Sequence, residues 1–211
     1  MSILRAVPLF CLSSLRLRRW GVCFLLLLVA LLVTGCASTP PATPENICGI
    51  FKEKPSWHRA TQKAQQKWGT PPQVVMAMMY QESSFKHDAT PPRRYLLGFI
   101  PWGRVSSAYG YAQAKNETWT DYKREGGGLF SSRDNFADAV DFMGWYMSKS
   151  QQINGTSKWD AYGQYLNYHE GWTGYKNRSY DRKPWLKQVA TQVQARAERF
   201  GSQYRSCSPR L

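Results

Sequence analysis

From Pro55 onward the apolar positions of this chain recur at three- and four-residue intervals, the spacing of helices that bury one face. Trp57, Ala60, Ala64 and Trp68 form one edge of an otherwise polar stretch from Ser56 to Trp68, which Gly69 ends. Thr70 and Pro71 suit the cap and first position of a second helix, PQVVMAMMYQES, which is apolar on nearly every side. Such a helix belongs at the centre of a domain. Periodicity resumes at Asp134, a candidate cap, with Phe136, Ala139, Val140, Met143 and Met147 on one face. A further helix covers Lys158 to Tyr168 through Trp159, Tyr162, Tyr165 and Leu166, and the last begins at Lys183-Pro184 and carries Trp185, Val189, Val193 and Ala197 before Gly201. No stretch has the period of two expected of a strand. The predicted fold class is mainly α, a single helical domain.

Residues 90–113, TPPRRYLLGFIPWGRVSSAYGYAQ, interrupt this pattern with three prolines, three glycines and many aromatics. They exclude a long helix, and exposed aromatics on a loop call for packing or a ligand. The stretch reads as one wall of a cleft, with an ordinary covered loop as the alternative.

The start of the chain has a different character. Arg5, Arg16, Arg18 and Arg19 precede an uncharged apolar run from Trp20 to Val33, followed by Thr34-Gly35-Cys36. That run is shorter than the roughly 20 residues of a spanning helix and reads as an export signal; an uncleaved anchor is the alternative. The small-small-Cys ending resembles a bacterial lipobox, which implies that Cys36 becomes the lipidated first residue of the mature chain. The expected organisation is a signal over 1–35, a lipidated Pro- and Thr-rich tether over 36–47 and a domain over 48–211. Cys11 and Cys23 leave with the signal, so Cys48 and Cys207 remain and are expected to pair. Neither has a partner at metal-ligand spacing, and no metal or cofactor is expected.

Charge narrows the partners. Four of the 28 Lys and Arg, and none of the 14 Asp and Glu, precede Cys36, leaving 24 minus 14, or +10. A basic exported domain suits an anionic polymer or membrane surface, and export argues against nucleic acid. Bacterial peptidoglycan, with carboxylates on its peptide stems, fits that compartment. Ala37 after the cysteine, in place of Asp, resembles lipoproteins directed to the outer membrane.

Candidate chemistry concentrates at Glu82. The chain has no Gly-rich phosphate loop and no G-x-S-x-G elbow, and its three histidines, His58, His87 and His169, are not at ligand spacing. Glu82 ends the most apolar helix, where desolvation and the helix dipole both favour a protonated carboxyl, the state of a general acid. Its alternative is a side chain that reaches water or pairs with Lys86 or Arg93.

Glu82-Ser83-Ser84-Phe85 with Ala89 resembles the E-S-x-F…A motif of lytic transglycosylases of the SLT type, which share the goose-type lysozyme fold. Ser107 to Gln113, SAYGYAQ, is similar to that family's G-A-x-G-L-M-Q, and Thr118-Trp119 fall where its next motif would. Asn135 to Tyr146 resembles the N-I-x-x-G-x-x-Y-L helix with Ala139 for glycine. Tyr168-His169-Glu170-Gly171 resembles Y-N-A-G, and Asp181 with Trp185-Leu186 and Val189 resembles E-T-x-x-Y-V-x-x-V. The resemblance implies a lysozyme-like domain that cleaves the MurNAc-GlcNAc β-1,4 bond to 1,6-anhydro-MurNAc ends. It makes Glu82 the acid and then the base, assigns substrate positioning to Gln113 and Tyr168, places Ser83 beside the acid, and gives Asp181 an orienting role. The departures, Tyr111-Ala112, His169-Glu170, Trp185 and a longer Pro91–Ser106 loop, are expected in the glycan groove. Two rival functions are a hydrolytic muramidase using Asp88, Glu170 or Asp181 as base, and a non-catalytic wall-binding lipoprotein.

Overall fold

The computed structural model describes residues 39–210; the expected signal and Cys36 lie outside the described residues. Seven helices make up the domain: α1 (Ile47–Glu53), α2 (Pro55–Trp68), α3 (Pro72–Ser83), α4 (Asn116–Glu125), α5 (Phe136–Asn154), α6 (Ala161–Lys176) and α7 (Pro184–Cys207). A two-stranded antiparallel hairpin, β1 (Arg93–Leu96) and β2 (Ile100–Arg104), stands between α3 and α4. The fold class is mainly α, as the sequence implied.

The central helix is α3. Val74, Val75, Met76, Ala77, Met78 and Met79 are all buried, because α7, α6, α5 and α2 surround them. Each Val or Met side chain so enclosed contributes roughly 2 kcal/mol of transfer free energy. Around this axis aromatic rings join the helices. Trp57 of α2 stacks on Phe136 of α5 with centroids 3.7 Å apart, and Tyr122, Phe142 and Trp145 link α4 to α5.

Local chemistry sets the helix ends. Asn135, not the expected Asp134, caps α5 by accepting from the amides of Ala137 and Asp138, and Gly155 closes the helix in the left-handed region. Asp160 caps α6 through the Gly163 amide. The last helix continues past Gly201, which is buried within α7. Glycine does not act as a stop here, because its backbone stays helical to Cys207.

The two cysteines expected to pair are joined, Cys48 in α1 to Cys207 at the end of α7. Residues 41–47, read as the distal part of the tether, lie against the domain. Glu45 pairs with Arg196 at 3.2 Å and with Arg199, and the Gln203 side chain accepts from the Ile47 amide at 3.0 Å. The hairpin is a correction to the purely helical reading. Every one of its strand residues is exposed, so no alternation of apolar and polar positions marked it.

Candidate active site

Glu82 occupies the last turn of α3, and the chain reverses immediately after it. Ser84 and Phe85 both take positive φ, 52° and 62°, a conformation that non-glycine residues adopt at a cost of order 1 kcal/mol each. Burial of Phe85 offsets that cost: its ring is fully enclosed, 5.6 Å from both Trp57 and Tyr80. The apolar anchor fixes the reversal and thereby the position of the carboxyl three residues earlier. Ser83 is buried beside it, its hydroxyl donating back to the Met79 carbonyl at 3.3 Å.

The Glu82 carboxyl keeps some exposure to water but is otherwise walled by protein. Burial pushes its pKa from 4.5 up to about 8, opposed by a hydrogen bond with Tyr165. Among the described residues no cation pairs with it; the alternatives, Lys86 and Arg93, do not. Tyr165 and Tyr168 stand three residues apart on one side of α6: Tyr165 hydrogen-bonds Glu82, and the Tyr168 ring packs against Tyr146 and Phe142 of α5. Burial and the neighbouring Glu82 raise the pKa of each phenol, so both present neutral O–H groups.

Tyr168 links the acid to a cleft of about 160 Å³, lined by Gln113, Lys115, Thr118, Tyr146, Tyr168 and Glu170 among others. Glu82 adjoins this cleft through Tyr168 and does not line it directly. The Tyr168 hydroxyl donates to the Ala112 carbonyl, tying α6 to the turn that carries Gln113. That turn, Tyr109 to Ala114, closes on itself through a bridge between its ends. Gly110 is required there: with φ at +77°, a Cβ would stand 2.1 Å from the Arg133 carbonyl oxygen. Gln113 also takes positive φ, 50°, and its Nε2 donates to the carbonyls of Ala89 at 2.7 Å and Gly110 at 3.0 Å. Both donor hydrogens are so engaged, and Gln113 lines the cleft.

The cleft floor depends on a break in α6. Gly171 sits at φ 73°, ψ 162° inside the helix, which frees carbonyls of the preceding turn. The Tyr146 hydroxyl takes up that of Asn167 at 2.9 Å, and Asn154 Nδ2 donates to the Trp172 carbonyl at 3.0 Å. Just before the break, Glu170 enters the cleft with its side chain only 4% exposed. Burial favours its neutral form, yet hydrogen bonds from Lys183 at 2.7 Å, Ser179 and His169 outweigh that and bring its pKa down to about 2.

The sequence-predicted residues are therefore only partly assembled. Glu82, Tyr168 and Gln113 converge, and Ser83 packs beneath the acid. Asp181 is not drawn into this group: it is exposed in a short 3-10 turn, bonded to Arg178 at 2.8 Å and near Lys187 at 3.7 Å. Tyr165 was not singled out by sequence; its spacing of three from Tyr168 was the available signal. Of the departures, His169 and Glu170 line the cleft, and Trp185 stacks edge-on to His169 at 5.2 Å. Tyr111 and Ala112 do not belong there. They are buried, Tyr111 against Trp57 and Phe136, so their exchange repacks the core and leaves the groove surface alone.

A mainly helical domain with a buried carboxyl beside a polar cleft is an arrangement found in glycan-cleaving enzymes. The model of the family described as transglycosylase SLT domain matches residues 24–207. The chain belongs to that family and is a peptidoglycan lytic transglycosylase of the cell envelope. No curated protein matches the chain.

Proposed function

We propose that the enzyme cleaves the β-1,4 bond between MurNAc and GlcNAc without water. Protonated Glu82 gives its proton to the glycosidic oxygen as the C1–O bond breaks. The resulting carboxylate takes the proton of that MurNAc's own 6-hydroxyl while O6 bonds to C1, so the acid is regenerated and a 1,6-anhydro end forms. The observation that carries this reading is the Glu82 carboxyl held at a pKa of about 8 beside two neutral phenols. An acid of that pKa is mostly protonated at neutral pH. The Tyr165 hydrogen bond favours the carboxylate formed midway and supports the change from acid to base. An internal nucleophile held near C1 supplies a high effective concentration, so no second carboxylate is needed.

The alternatives to Glu82 as water-activating base support the same reading. Glu170 is engaged by three donors, and a carboxylate with a pKa of about 2 is a weak base. Asp88 and Asp181 are exposed, and Asp181 is occupied by Arg178. In this reading Gln113 Oε1 accepts from the sugar, Tyr168 shapes its seat, Ser83 fixes the helix end, and Asp181 acts through the Arg178 turn. Mass spectrometry of the products from purified wall tests the chemistry. Anhydro ends are expected; reducing MurNAc ends would establish a hydrolase, and sedimentation with sacculi without release would establish a binding protein.

The organisation proposed with it is a signal over 1–35, lipidation of Cys36, a tether over 36–47 whose distal residues 41–47 pack on the domain, and a domain over 48–211 facing the periplasm from the outer membrane. The basic apolar start, the small residues before Cys36 and Ala37 after it support this reading. Mass spectrometry of the mature chain is expected to find Cys36 acylated as its first residue and Cys36→Ser without acyl groups; a chain still carrying residues 1–35 would argue for an uncleaved anchor.

A further inference from the structure

The β1–β2 hairpin stands apart from the cleft. None of its residues lines it, and none of its side chains is buried. A lone two-stranded hairpin is marginal in water, yet this one displays Leu97, Phe99 and Trp102 at 76%, 72% and 69% exposure, with Tyr95, Leu96, Ile100 and Val105 also open to solvent. Leu97 and Gly98 form the tip with φ of 53° and 81°. Leucine is costly in that conformation, where Asn or Gly is the usual choice. The turn closes the ladder, the Phe99 amide donating to the Leu96 carbonyl at 3.3 Å, and leaves an apolar side chain pointing outward at the apex.

The opposite end of the hairpin is cationic. Arg93 pairs across the ladder with Arg104, Arg94 follows, and Arg104 also braces the base by donating to the Pro91 carbonyl at 2.7 Å. No Asp or Glu occurs from Ala89 to Asn116. An apolar, aromatic tip below a collar of arginines matches the depth profile of an anionic bilayer: hydrocarbon, then the interfacial zone favoured by Trp and Tyr, then phosphate. The composition disfavours other occupants. Between Arg93 and Val105 there is no carboxylate or amide side chain to accept from sugar hydroxyls. Pro91, Pro92 and Pro101 remove amide donors that a partner strand would need.

We propose that this hairpin is a membrane-docking element that inserts its Leu97–Trp102 tip into a bilayer bearing anionic phospholipid headgroups. It is independent of the cleavage chemistry and of acylation at Cys36. The hairpin leaves and rejoins the domain beside the site, since the Ala89 carbonyl accepts both the Gly110 amide at 2.9 Å and Gln113 Nε2. Docking through it would hold the catalytic face in a fixed orientation to the membrane.

Quenching of Trp102 by brominated phospholipid in vesicles of phosphatidylglycerol and phosphatidylcholine tests this with the full chain. Trp102→Phe keeps the tip apolar, so the difference between wild type and W102F isolates one ring from the other tryptophans. Wild type is expected to lose a larger fraction of its emission than W102F, and the difference should vanish when Arg93, Arg94 and Arg104 are all changed to Gln. Glu82→Gln should leave it untouched, which separates this proposal from the catalytic one. Equal quenching of wild type and W102F, with wall cleavage intact in both, overturns it. So does shielding of Trp102 from acrylamide by soluble glycan strands with no bromolipid effect, which would assign the hairpin to the substrate.

Discussion

Replacing Glu82 by Gln preserves the shape of the side chain and removes its proton, which exposes two linked consequences of burial. In the folded protein the group titrates at about 8 in place of 4.5, so between those values the native state retains a proton that the unfolded chain has lost. The Glu82 contribution to stability is therefore fully present below pH 4.5 and is lost as the pH rises to about 8. At about 1.4 kcal/mol per unit, the loss across that interval is about 5 kcal/mol; water reaching the partly exposed carboxylate makes this an upper limit. E82Q has no such loss. Denaturant unfolding across the range should give curves that coincide near the acid end and diverge by about 2 to 5 kcal/mol, with E82Q the more stable, near pH 9. Over the same range kcat/KM of the wild type should fall as the pH passes about 8, and E82Q should lose about two to four orders of magnitude in muropeptide release. A stability difference flat with pH would refute the buried acid. Unchanged release would refute its role in the chemistry.

Other perturbations probe the surroundings of that acid. Tyr165→Phe removes a hydrogen bond that favours the Glu82 carboxylate, so the alkaline limb of the activity profile should move upward while far-ultraviolet circular dichroism stays the same. Glu170, held at about 2 against an ordinary 4.5, contributes stability that is present above 4.5 and lost as the pH falls toward 2; Glu170→Gln should flatten that acid limb in thermal melts. Replacing Cys48 and Cys207 together by Ser opens a loop spanning a separation of 159 residues, and chain entropy predicts a loss of about 5 kcal/mol in denaturant unfolding.

Legibility in the sequence followed physical contrast. Residues 72–83 could be placed at the centre because apolarity on all sides admits few other locations, and an acid at the end of that run stood out against its neighbours. Gln113 and Tyr168 emerged from motif spacing. Tyr165 did not, because a tyrosine at helical spacing is equally consistent with core packing, and only the crossing of α6 over α3 gives it an acid to face. Tyr111 was assigned to the groove by position in its motif, whereas the tight turn around Gly110 directs it inward against Trp57. The hairpin was illegible for the reverse reason: a strand exposed on both faces has no periodicity to read. Helices α1 and α4 were also missed as elements. Each is short, at 7 and 10 residues, and neither presents enough turns to establish a repeat.

Backbone strain gives an account of the site that does not depend on motifs. Five non-glycine residues among those described adopt positive φ: Ser84, Phe85, Leu97, Gln113 and Arg178. Such conformations persist only where surrounding structure enforces them. Ser84 and Phe85 follow the acid directly, Gln113 lines the cleft, and Arg178 holds Asp181 in the turn from which Ser179 and Lys183 reach Glu170. For these four the enforcing contacts are visible: the buried Phe85 ring, the bridged turn around Gly110, and the ion pair of Arg178. At Leu97 the enforcing element is the hairpin turn, closed by the Phe99 amide donating to the Leu96 carbonyl at 3.3 Å, while its side chain stays 76% exposed. Strain thus marks the turns that carry the acid, Gln113 and the Glu170 partners, whereas at Leu97 it marks the hairpin turn alone, and the uncovered leucine there is the side chain that the proposed bilayer contact would use.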